Sequence, residues 1–310
     1  MTTAPVVNAM TVDVEEHFQV SAFDRAVSRA DWPRLESRVS ASTDRLLTLF
    51  DRSGVRATFF VLGVVAERFP DLVRGIAARG HEVASHGYGH RLVYEQTRAE
   101  FREDIRRAKS LLEHITGRIV NGYRAPSYSV TAESLWALDV LIEEGHTYDA
   151  SIFPIRHDRY GIPDAPRHPF VVTGAAGSIV EAPASTVRVG PLNLPVAGGG
   201  YFRILPYAWT RWGLGRLNAL ERRPAVFYLH TWELDPQQPR FAAGRLTRFR
   251  HYRNLHLTEA RLSRLIDDFR FAPLGEVLDR QALGSEAGDE ALNLVKAGAA
   301  PTRAWWQPTP

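Results

Sequence analysis

VVNAMTVDVEE, residues 6–16, ends an apolar run with three carboxylates, and this stretch decides the fold. Its apolar and β-branched composition predicts a strand over residues 6–14. Asp13 and Glu15 lie two residues apart, so on a continuing strand they point to one face while Glu16 points away. Carboxylates next to an apolar strand are costly to bury unless they are paired or bind a metal. We therefore interpret Asp13 and Glu15 as functional groups rather than as solvated acids.

The rest of the chain alternates short apolar runs with longer helical patterns, which is typical of parallel βα units. Further strands are predicted at residues 55–62, 81–85, 148–153, 179–182 and 225–229. Helices are predicted at residues 43–52, 65–80, 97–117, 131–144, 206–220 and 258–269. Thr97 and Glu100 fit a capping box at the start of the third helix. We expect a long loop over residues 154–169, a glycine turn at 198–200 and a poorly ordered tail from 281 to 310.

Composition limits the chemistry that the chain can carry. Of 310 residues, 45% are hydrophobic and 24% are charged, which is enough for a sizeable core and a hydrated surface. The absence of cysteine excludes thiolate metal sites, iron–sulfur clusters, disulfides and a cysteine nucleophile. Any metal must therefore be held by histidine, aspartate or glutamate.

The charge distribution argues against nucleic acid as a partner, because the net charge is only +3. Between Arg203 and Arg270, however, arginines outnumber carboxylates. We interpret this excess as a solvated face, with an anionic polymer as the alternative. No apolar run is long enough to span a bilayer, and residues 1–10 lack the features of a secretory signal. We therefore expect a cytoplasmic location.

Four polar clusters follow predicted strands: DVEEH at 13–17, HGYGH at 86–90, RAPSY at 124–128 and HTWE at 230–233. The carboxyl ends of parallel strands converge on one face, so these clusters can meet there. His86 and His90 can present two imidazole nitrogens to one ion, with a carboxylate as third ligand. Two glycines between the histidines suggest a turn rather than a regular helix.

The order TVDVEE, SHGYGH, RAPSYS, YDASIFP and FYLHTWELD resembles the five motifs of the NodB-homology polysaccharide deacetylases, carbohydrate esterase family 4. The resemblance covers about residues 8–235. The segment GGGYFR and the stretch FRHYRNLHLTEARLSRLIDDFRF resemble the subgroup associated with exosortase/PEP-CTERM exopolysaccharide systems.

This resemblance implies a distorted (β/α)7-type barrel that holds one divalent metal, usually zinc, and removes acetyl groups from N-acetylated sugars. It implies a single catalytic domain over residues 1–280, with a helical extension after residue 235, and it leaves the cell envelope open as a location. By position in the motifs, the implied roles are base for Asp13, metal ligands for Glu15, His86 and His90, partner of the base for Arg124, and general acid for His230. Ser127 or Tyr128 lies where a backbone N–H completes the oxyanion site.

Two departures from the family pattern leave alternatives open. Val14 separates Asp13 from Glu15 where the commoner motif has adjacent aspartates, so the choice of Glu15 over Glu16 rests on strand parity. The fourth motif retains Asp149 but lacks its second aspartate. The group that orients His230 is therefore Glu233, Asp235 or Asp149.

We predict a metal-dependent N-deacetylase that acts on a bacterial polysaccharide. The alternatives are an amidase for a small non-sugar amide and a catalytically silent carbohydrate-binding protein. Trp232 is a candidate aromatic wall for a sugar ring, and Asp149 is a further candidate contact for substrate. The oligomeric state, the sugar and its linkage are not predicted.

Overall fold

The strand Val7–Val14 (β1) lies inside the sheet and is hydrogen-bonded along both edges. The computed structural model describes residues 5–285. The other strands are β2 (Thr58–Val61), β3 (Glu82–Ser85), β4 (Gly122–Tyr123), β5 (Tyr148–Asp149), β6 (Phe170–Gly174), β7 (Gly177–Glu181), β8 (Thr186–Val189), β9 (Leu192–Pro195), β10 (Val226–His230) and β11 (Arg270–Ala272).

The helices pack around this sheet. They are α1 (Val39–Ser53), α2 (Gly63–Arg68), α3 (Pro70–Ala78), α4 (Arg98–Thr116), α5 (Trp136–Glu143), α6 (Gly199–Ile204), α7 (Tyr207–Ala219), α8 (Arg245–Tyr252), α9 (Leu255–Asp268) and α10 (Leu274–Ser285). In residues 5–285, every helix is too short or too polar to cross a lipid bilayer.

The sheet has the order of a distorted (β/α)7 barrel. Within the described chain, seven strands run parallel in the order β10, β1, β2, β3, β4, β5 and β7. The antiparallel strand β6 adds to β7, and β11 adds to the amino end of β1. Ser185, after β7, is hydrogen-bonded to Val226 of β10 through its backbone N–H and its hydroxyl. These contacts link the two ends of the parallel set and confirm the predicted fold class.

Strand parity sets which side chains reach the interior of the barrel. Met10, Val12 and Val14 of β1 pack against the surrounding helices in the largest apolar cluster. Ala9 faces the other way, into the interior. Asp13 shares the parity of Ala9, and its register partner on β10 is His230. The alternation therefore directs Asp13 into the barrel at its carboxyl edge.

Three sequence predictions for local structure require correction. The helix predicted over residues 65–80 is two helices, because Pro70 cannot continue the first one and Phe69 between them has non-helical angles. The glycines at 198–200 do not form a simple turn: Gly199 begins α6, and Gly198 packs against Tyr228. The predicted last helix, at 258–269, begins earlier, at Leu255, and is followed by α10.

The predicted domain boundary at residue 280 falls inside α10, which ends at Ser285. The remainder of the predicted tail, residues 286–310, lies outside the described residues. The capping box at Thr97 and Glu100 is present, and residues 154–169 contain no helix or strand, as expected from their composition.

Candidate active site

Asp13 is fixed by a buried arginine that reaches across the barrel. Its Oδ1 accepts a 2.8 Å hydrogen bond from Nη1 of Arg124, and both side chains are almost fully buried. The guanidinium also donates to Thr11 Oγ1 and to the carbonyl of Ala150, and it lies 4.2 Å from the ring centre of Phe60. Arg124 therefore holds one oxygen of Asp13 and compensates its charge, as a buried carboxylate requires.

Glu15 meets the two predicted histidines next to Asp13. Its Oε2 lies 2.8 Å from Nε2 of His90 and 3.8 Å from Nε2 of His86. All three side chains are buried, and their donor atoms lie within 4.8 Å of one another. This Oε2 atom makes no hydrogen bond of acceptable geometry in the described chain. One carboxylate oxygen and two imidazole nitrogens thus converge on one point, which is a possible metal site.

The protonation of this cluster suits cation binding. Burial lowers the pKa of His86 to about 4, so its ring is neutral at pH 7. Its Nδ1 lies 2.8 Å from the carbonyl of Arg124, where an N–H donates and leaves the Nε2 lone pair free. Burial alone would raise the pKa of Glu15, but the neighbouring His90, His230 and His86 hold it well below its ordinary value.

A tight turn, not a helix, places His86 and His90. His90 has a φ of 52° and Gly87 a φ of 74°, both in the left-handed region. A carboxylate of α4, Asp104, accepts the backbone N–H groups of Tyr88 and Gly89 at 2.7 and 3.2 Å. A Cβ on Gly87 would lie 2.8 Å from Asp104 Oδ2, so the turn is shaped around this carboxylate.

Glu16 lies on the opposite side of the strand end. Its carboxylate accepts hydrogen bonds from the hydroxyl of Ser37 and, at 3.0 Å, from the backbone N–H of Arg38. These contacts direct Glu16 toward the start of α1 and away from His86 and His90. The structure therefore brings Glu15, and not Glu16, to the histidine pair.

His230 faces Asp13 from the neighbouring strand and is the most exposed of these groups, with 22% of its side chain accessible. Its Nε2 lies 3.7 Å from Oδ2 of Asp13 and 3.8 Å from Oε1 of Glu15. Its Nδ1 lies 2.7 Å from Oε1 of Glu233. Burial lowers the pKa of His230, but the hydrogen bond to Glu233 and the charges of Glu15, Glu233 and Asp13 outweigh it and raise the pKa to about 9.

Glu233 is therefore the residue that orients His230 among the three candidates. A second buried arginine, Arg203 of α6, forms an ion pair with the other oxygen of Glu233. Asp235 pairs with Arg38 instead. Asp149 is fully buried, and its carboxyl group is hydrogen-bonded to Ser151 and Glu181. Asp149 thus contacts neither His230 nor open space, which contradicts both roles considered for it.

Trp232 is not an exposed wall for a sugar. Only 5% of it is accessible, and its ring is stacked between the rings of His230 and His251 at 5.0 and 4.2 Å. Its Nε1 donates a 3.0 Å hydrogen bond to Glu15 Oε1. Both faces of the indole are therefore occupied, and Trp232 supports Glu15 instead of facing substrate.

The two candidates for the oxyanion donor, Ser127 and Tyr128, differ in whether the backbone N–H is already hydrogen-bonded. Ser127 and Tyr128 both have a φ of 53°, and the Tyr128 N–H donates to the carbonyl of Ala125 at 3.1 Å. The Ser127 side chain is half-buried and bonds to the hydroxyl of Ser21, whereas Tyr128 is buried. Tyr128 N–H is thus already engaged, which favours Ser127.

Sequence reasoning missed three supporting residues: Asp104, Arg203 and His251. Asp104 had a usable signal, because it lies three residues after Phe101 and four before Ala108 on the buried face of α4. A lone carboxylate on an apolar face requires a buried partner. Arg203 and His251 had no comparable signal, since their contacts depend on how α6 and α8 pack against the end of β10.

Fold and site together define a seven-stranded α/β barrel with a Glu–His–His cluster, a carboxylate and an imidazole at its carboxyl edge. Residues 19–141 match the sequence model of the polysaccharide deacetylase family. This match covers 123 of the 310 residues and shows that this part of the chain is similar to polysaccharide deacetylases. Residues 150–279 match a second model, described as a domain of unknown function, DUF3473. His86, His90 and Arg124 lie in the first match, and His230, Glu233 and Arg203 lie in the second.

Known proteins are similar to part of the sequence or share the fold. The peptidoglycan-N-acetylglucosamine deacetylase of Bacillus cereus is 31% identical over 115 residues, which is 37% of this chain and 40% of that protein. A solved structure of the polysaccharide deacetylase type from Mycobacterium smegmatis is 20% identical and covers 97% of this chain and 99% of its own, with a TM-score of 0.59. PuuE allantoinase is 14% identical and shares the fold over 92% of this chain and 91% of its own, with a TM-score of 0.60.

Proposed function

We propose that the protein is a metal-dependent deacetylase that hydrolyses the N-acetyl groups of a bacterial polysaccharide. The observation that carries this proposal is the meeting of Asp13, Glu15 and His230 with the histidine pair at one edge of the barrel. A base, a cation site and an acid, with the first two each within 4 Å of the third, are the groups that amide hydrolysis by water requires.

The cluster of Glu15, His86 and His90 fits a divalent cation. A buried carboxylate oxygen without a hydrogen bond, two imidazole nitrogens and the lack of any thiolate favour zinc, with ferrous iron as the other ion that takes two histidines and one carboxylate. A cation bound there supplies Lewis-acid polarisation of the amide carbonyl and makes a nearby water more acidic.

The chain's own groups carry the protons. Arg124 holds Oδ1 of Asp13, so Oδ2 is the oxygen that accepts a proton from the attacking water. The water oxygen forms a bond to the acetyl carbon, and the C–N bond of the amide then breaks. His230, protonated at Nε2, donates that proton to the leaving amine nitrogen, while Glu233 holds Nδ1. Acetate and a free amino sugar result.

The backbone N–H of Ser127 is the proposed donor to the developing oxyanion. Ser127 lies after Arg124 in a turn with left-handed angles, and its side chain is partly accessible beside the site. Loss of one such donor typically costs about 3 kcal/mol of transition-state stabilisation.

We also propose that residues 1–280 act as one catalytic unit. The proposed base precedes the first family match, the histidine pair lies within it, and the proposed acid lies within the second. The substrate class follows from the relatives, since the Bacillus cereus protein is named for peptidoglycan N-acetylglucosamine. An N-acetylated glycan is accordingly the substrate class to test first.

The test is acetate release from a panel of N-acetylated glycans, with and without a chelator, alongside metal analysis of the purified protein. We expect close to one divalent ion per chain and chelator-sensitive acetate release. Asp13→Asn should abolish turnover while the metal stays bound. Release of ammonia or amine from small amides but no acetate from any glycan would instead indicate an amidase, and glycan binding without hydrolysis would indicate a silent module.

Glu15→Ala and Glu16→Ala form a matched pair for the metal ligand. The first should lose the metal, and the second should keep it, because only Glu15 lies with His86 and His90. Metal loss in Glu16→Ala alone would overturn the assignment.

A further inference from the structure

We infer that the active-site face has a subsite for an acidic sugar, formed by Arg159 and Arg250 beside the rings of His157, Tyr160 and Tyr201. The substrate class would then be a polysaccharide that carries carboxylates as well as N-acetyl groups. This inference rests on the proposed function. It adds the requirement that the substrate carries carboxylates, which the catalytic groups alone do not impose.

The aromatic part of this subsite is a packed and half-buried cluster. The ring of His157 is stacked on Tyr160, with centroids 3.8 Å apart and planes 14° apart. Phe153 stacks on the ring of Tyr160 and contacts Tyr201 edge-on at 6.3 Å. His157, Tyr160 and Tyr201 all remain partly accessible. Because Tyr160 is stacked on by both His157 and Phe153, the partly accessible rings left to meet the apolar face of a sugar are those of His157 and Tyr201.

A continuous series of ring contacts joins this cluster to the proposed acid. Tyr160 lies 6.0 Å from Tyr128, Tyr128 lies 5.1 Å from Tyr228, and Tyr228 lies 5.9 Å from His230, between ring centres. Tyr128 and Tyr228 are buried, so these contacts fix the accessible rings relative to His230 through the interior. The loop that carries His157 and Tyr160 follows the carboxyl end of β5, on the edge of the barrel where His230 lies, and a polymer bound at His230 can extend toward it.

The two arginines of the subsite are exposed and carry no counter-charge. Within residues 5–285, neither Arg159 nor Arg250 has a carboxylate oxygen within 4.0 Å. Burial lowers the pKa of His157, and the charges of Arg250 and Arg159 lower it further, while Asp158 opposes them. Arg159 also acts on Asp24 and, together with Asp24 and Glu95, on Tyr94. Asp24, Glu95 and Asp158 are thus exposed acids near the arginines, and in residues 5–285 none of them lies within 4.0 Å of either guanidinium.

Some exposed arginines elsewhere on the surface form ion pairs. Arg98, Arg102 and Arg106 of α4 each pair with Glu143 or Glu144. Exposed arginines without a carboxylate within 4.0 Å also occur elsewhere in the described residues, as at Arg52 and Arg118, so it is the place of Arg159 and Arg250 beside partly accessible aromatic rings that distinguishes them.

The unpaired charge continues along α8. The segment 240–253, RFAAGRLTRFRHYR, contains no acidic residue, and its five arginines are all exposed. The backbone of this segment is anchored, because Arg203 donates to the carbonyls of Arg250, His251 and Arg253 at 2.7–3.0 Å. A positive strip therefore leads away from the active site in a fixed position, as an extended anionic polymer requires.

The same strip exposes Leu246 and Phe249, which raises a second class of partner. Arginine next to exposed leucine and phenylalanine is also typical of helices that lie on anionic membranes. The strip begins beside the partly accessible rings, on the edge of the barrel that holds His230. This position favours a polysaccharide over a membrane, because such rings suit the apolar faces of sugars.

The experiment compares two six-sugar probes of equal length with the metal-loaded protein. Hyaluronan hexasaccharide alternates glucuronate with N-acetylglucosamine, and chitohexaose is neutral. Binding and kcat/KM for acetate release are measured for both at low and high salt. We expect the acidic probe to bind at least tenfold more tightly at low salt, with most of that preference lost at high salt.

The variant Arg159→Ser/Arg250→Ser should reduce the ratio of acidic to neutral binding by about tenfold. Arg52→Ser/Arg74→Ser is the matched control, because it removes two exposed arginines from α1 and α3 and gives the same change in net charge. Equal effects of the two double variants, or equal binding of the two probes by the parent protein, would overturn the inference. Tighter binding to phosphatidylglycerol vesicles than to hyaluronan, lost in Leu246→Ser/Phe249→Ser, would overturn it in favour of a membrane.

Failure of the inference is distinguishable from failure of the proposed function. Acetate release from chitohexaose without any preference for the acidic probe would leave the deacetylase intact and remove the subsite. If no glycan released acetate but hyaluronan still bound through Arg159 and Arg250, the subsite would stand and the proposed deacetylase function would fail.

Discussion

The indole Nε1 of Trp232 donates a hydrogen bond to Oε1 of Glu15 across 217 residues of sequence. This bond leaves the other oxygen of Glu15 facing His86 and His90. The indole is itself held between two imidazole rings, so its position is fixed from both sides. Trp232 thus determines which oxygen of Glu15 is available to a cation.

We expect Trp232→Phe to lower metal affinity by about 10- to 100-fold, as is typical when a ligand loses its hydrogen-bonding partner. The phenyl ring preserves most of the stacking but has no donor for Glu15. Affinity is measured by competition with a chromophoric chelator. Trp212→Phe is the control, since Trp212 is exposed on α7. Unchanged affinity in Trp232→Phe would show that the hydrogen bond has no role in metal binding.

Glu233→Gln should move the alkaline limb of the kcat/KM profile to lower pH. The charge and hydrogen bond of Glu233 raise the pKa of His230, so removing the charge lowers that pKa. His230 must be protonated to act as the acid, and activity therefore falls at a lower pH in the variant. A bound cation acts on both proteins alike, so the difference between the two profiles is the measurement. Glu103→Gln, an exposed change on α4, should leave the limb in place.

Glu181→Gln should stabilise the fold, and more so at pH 8 than at pH 5. Burial and the charge of Asp149 raise the pKa of Glu181 well above its ordinary value, so the folded protein keeps a proton there. The unfolded chain loses this proton above about pH 4.3, so the parent protein loses stability as pH rises. Glutamine does not titrate, and its amide can donate to Asp149. In urea unfolding, the free energy of unfolding of Glu181→Gln minus that of the parent protein should increase by about 1 kcal/mol or more from pH 5 to pH 8.

Gly198→Ala should be much more destabilising than Gly190→Ala. Both glycines have positive φ, at 113° and 57°, so both substitutions carry backbone strain. A Cβ on Gly198 would lie 1.9 Å from the carbonyl oxygen of Tyr228, whereas one on Gly190 would meet nothing within 4 Å. We expect about 1–2 kcal/mol for Gly190→Ala and at least about 3 kcal/mol for Gly198→Ala in denaturant unfolding. Equal losses would mean that α6 moves away from β10 at little cost.

Patterns local in sequence predicted most of the barrel and the positions of the polar clusters. The parity of Asp13 and Glu15 separated them from Glu16 because a strand alternates its side chains between two faces. The helix of 98–116 was marked by its own capping residues. Such signals need no knowledge of distant contacts.

Contacts between segments that are far apart in the sequence could not be predicted from local patterns. Among the strands of residues 5–285, β8 and β9 pair only with each other, and the sequence analysis missed both of them as well as the antiparallel strand β6. Trp232 appeared suited to a sugar because nothing near it in sequence shows that His251 covers its second face. Asp149 appeared available because its partner Glu181 lies 32 residues away on β7.

The register of β1 and β10 fixes the separation of Asp13 and His230 independently of the surrounding loops. Asp13 and His230 are paired positions on adjacent strands, so their separation follows from the spacing between strands, about 4.8 Å, and not from any loop. The loop over residues 154–169 and the segment before α8 can therefore accept insertions or exchanges without altering that separation. The proposed catalytic pair and the proposed sugar subsite therefore lie in different parts of the architecture, the first on paired strands and the second on a loop, α6 and α8.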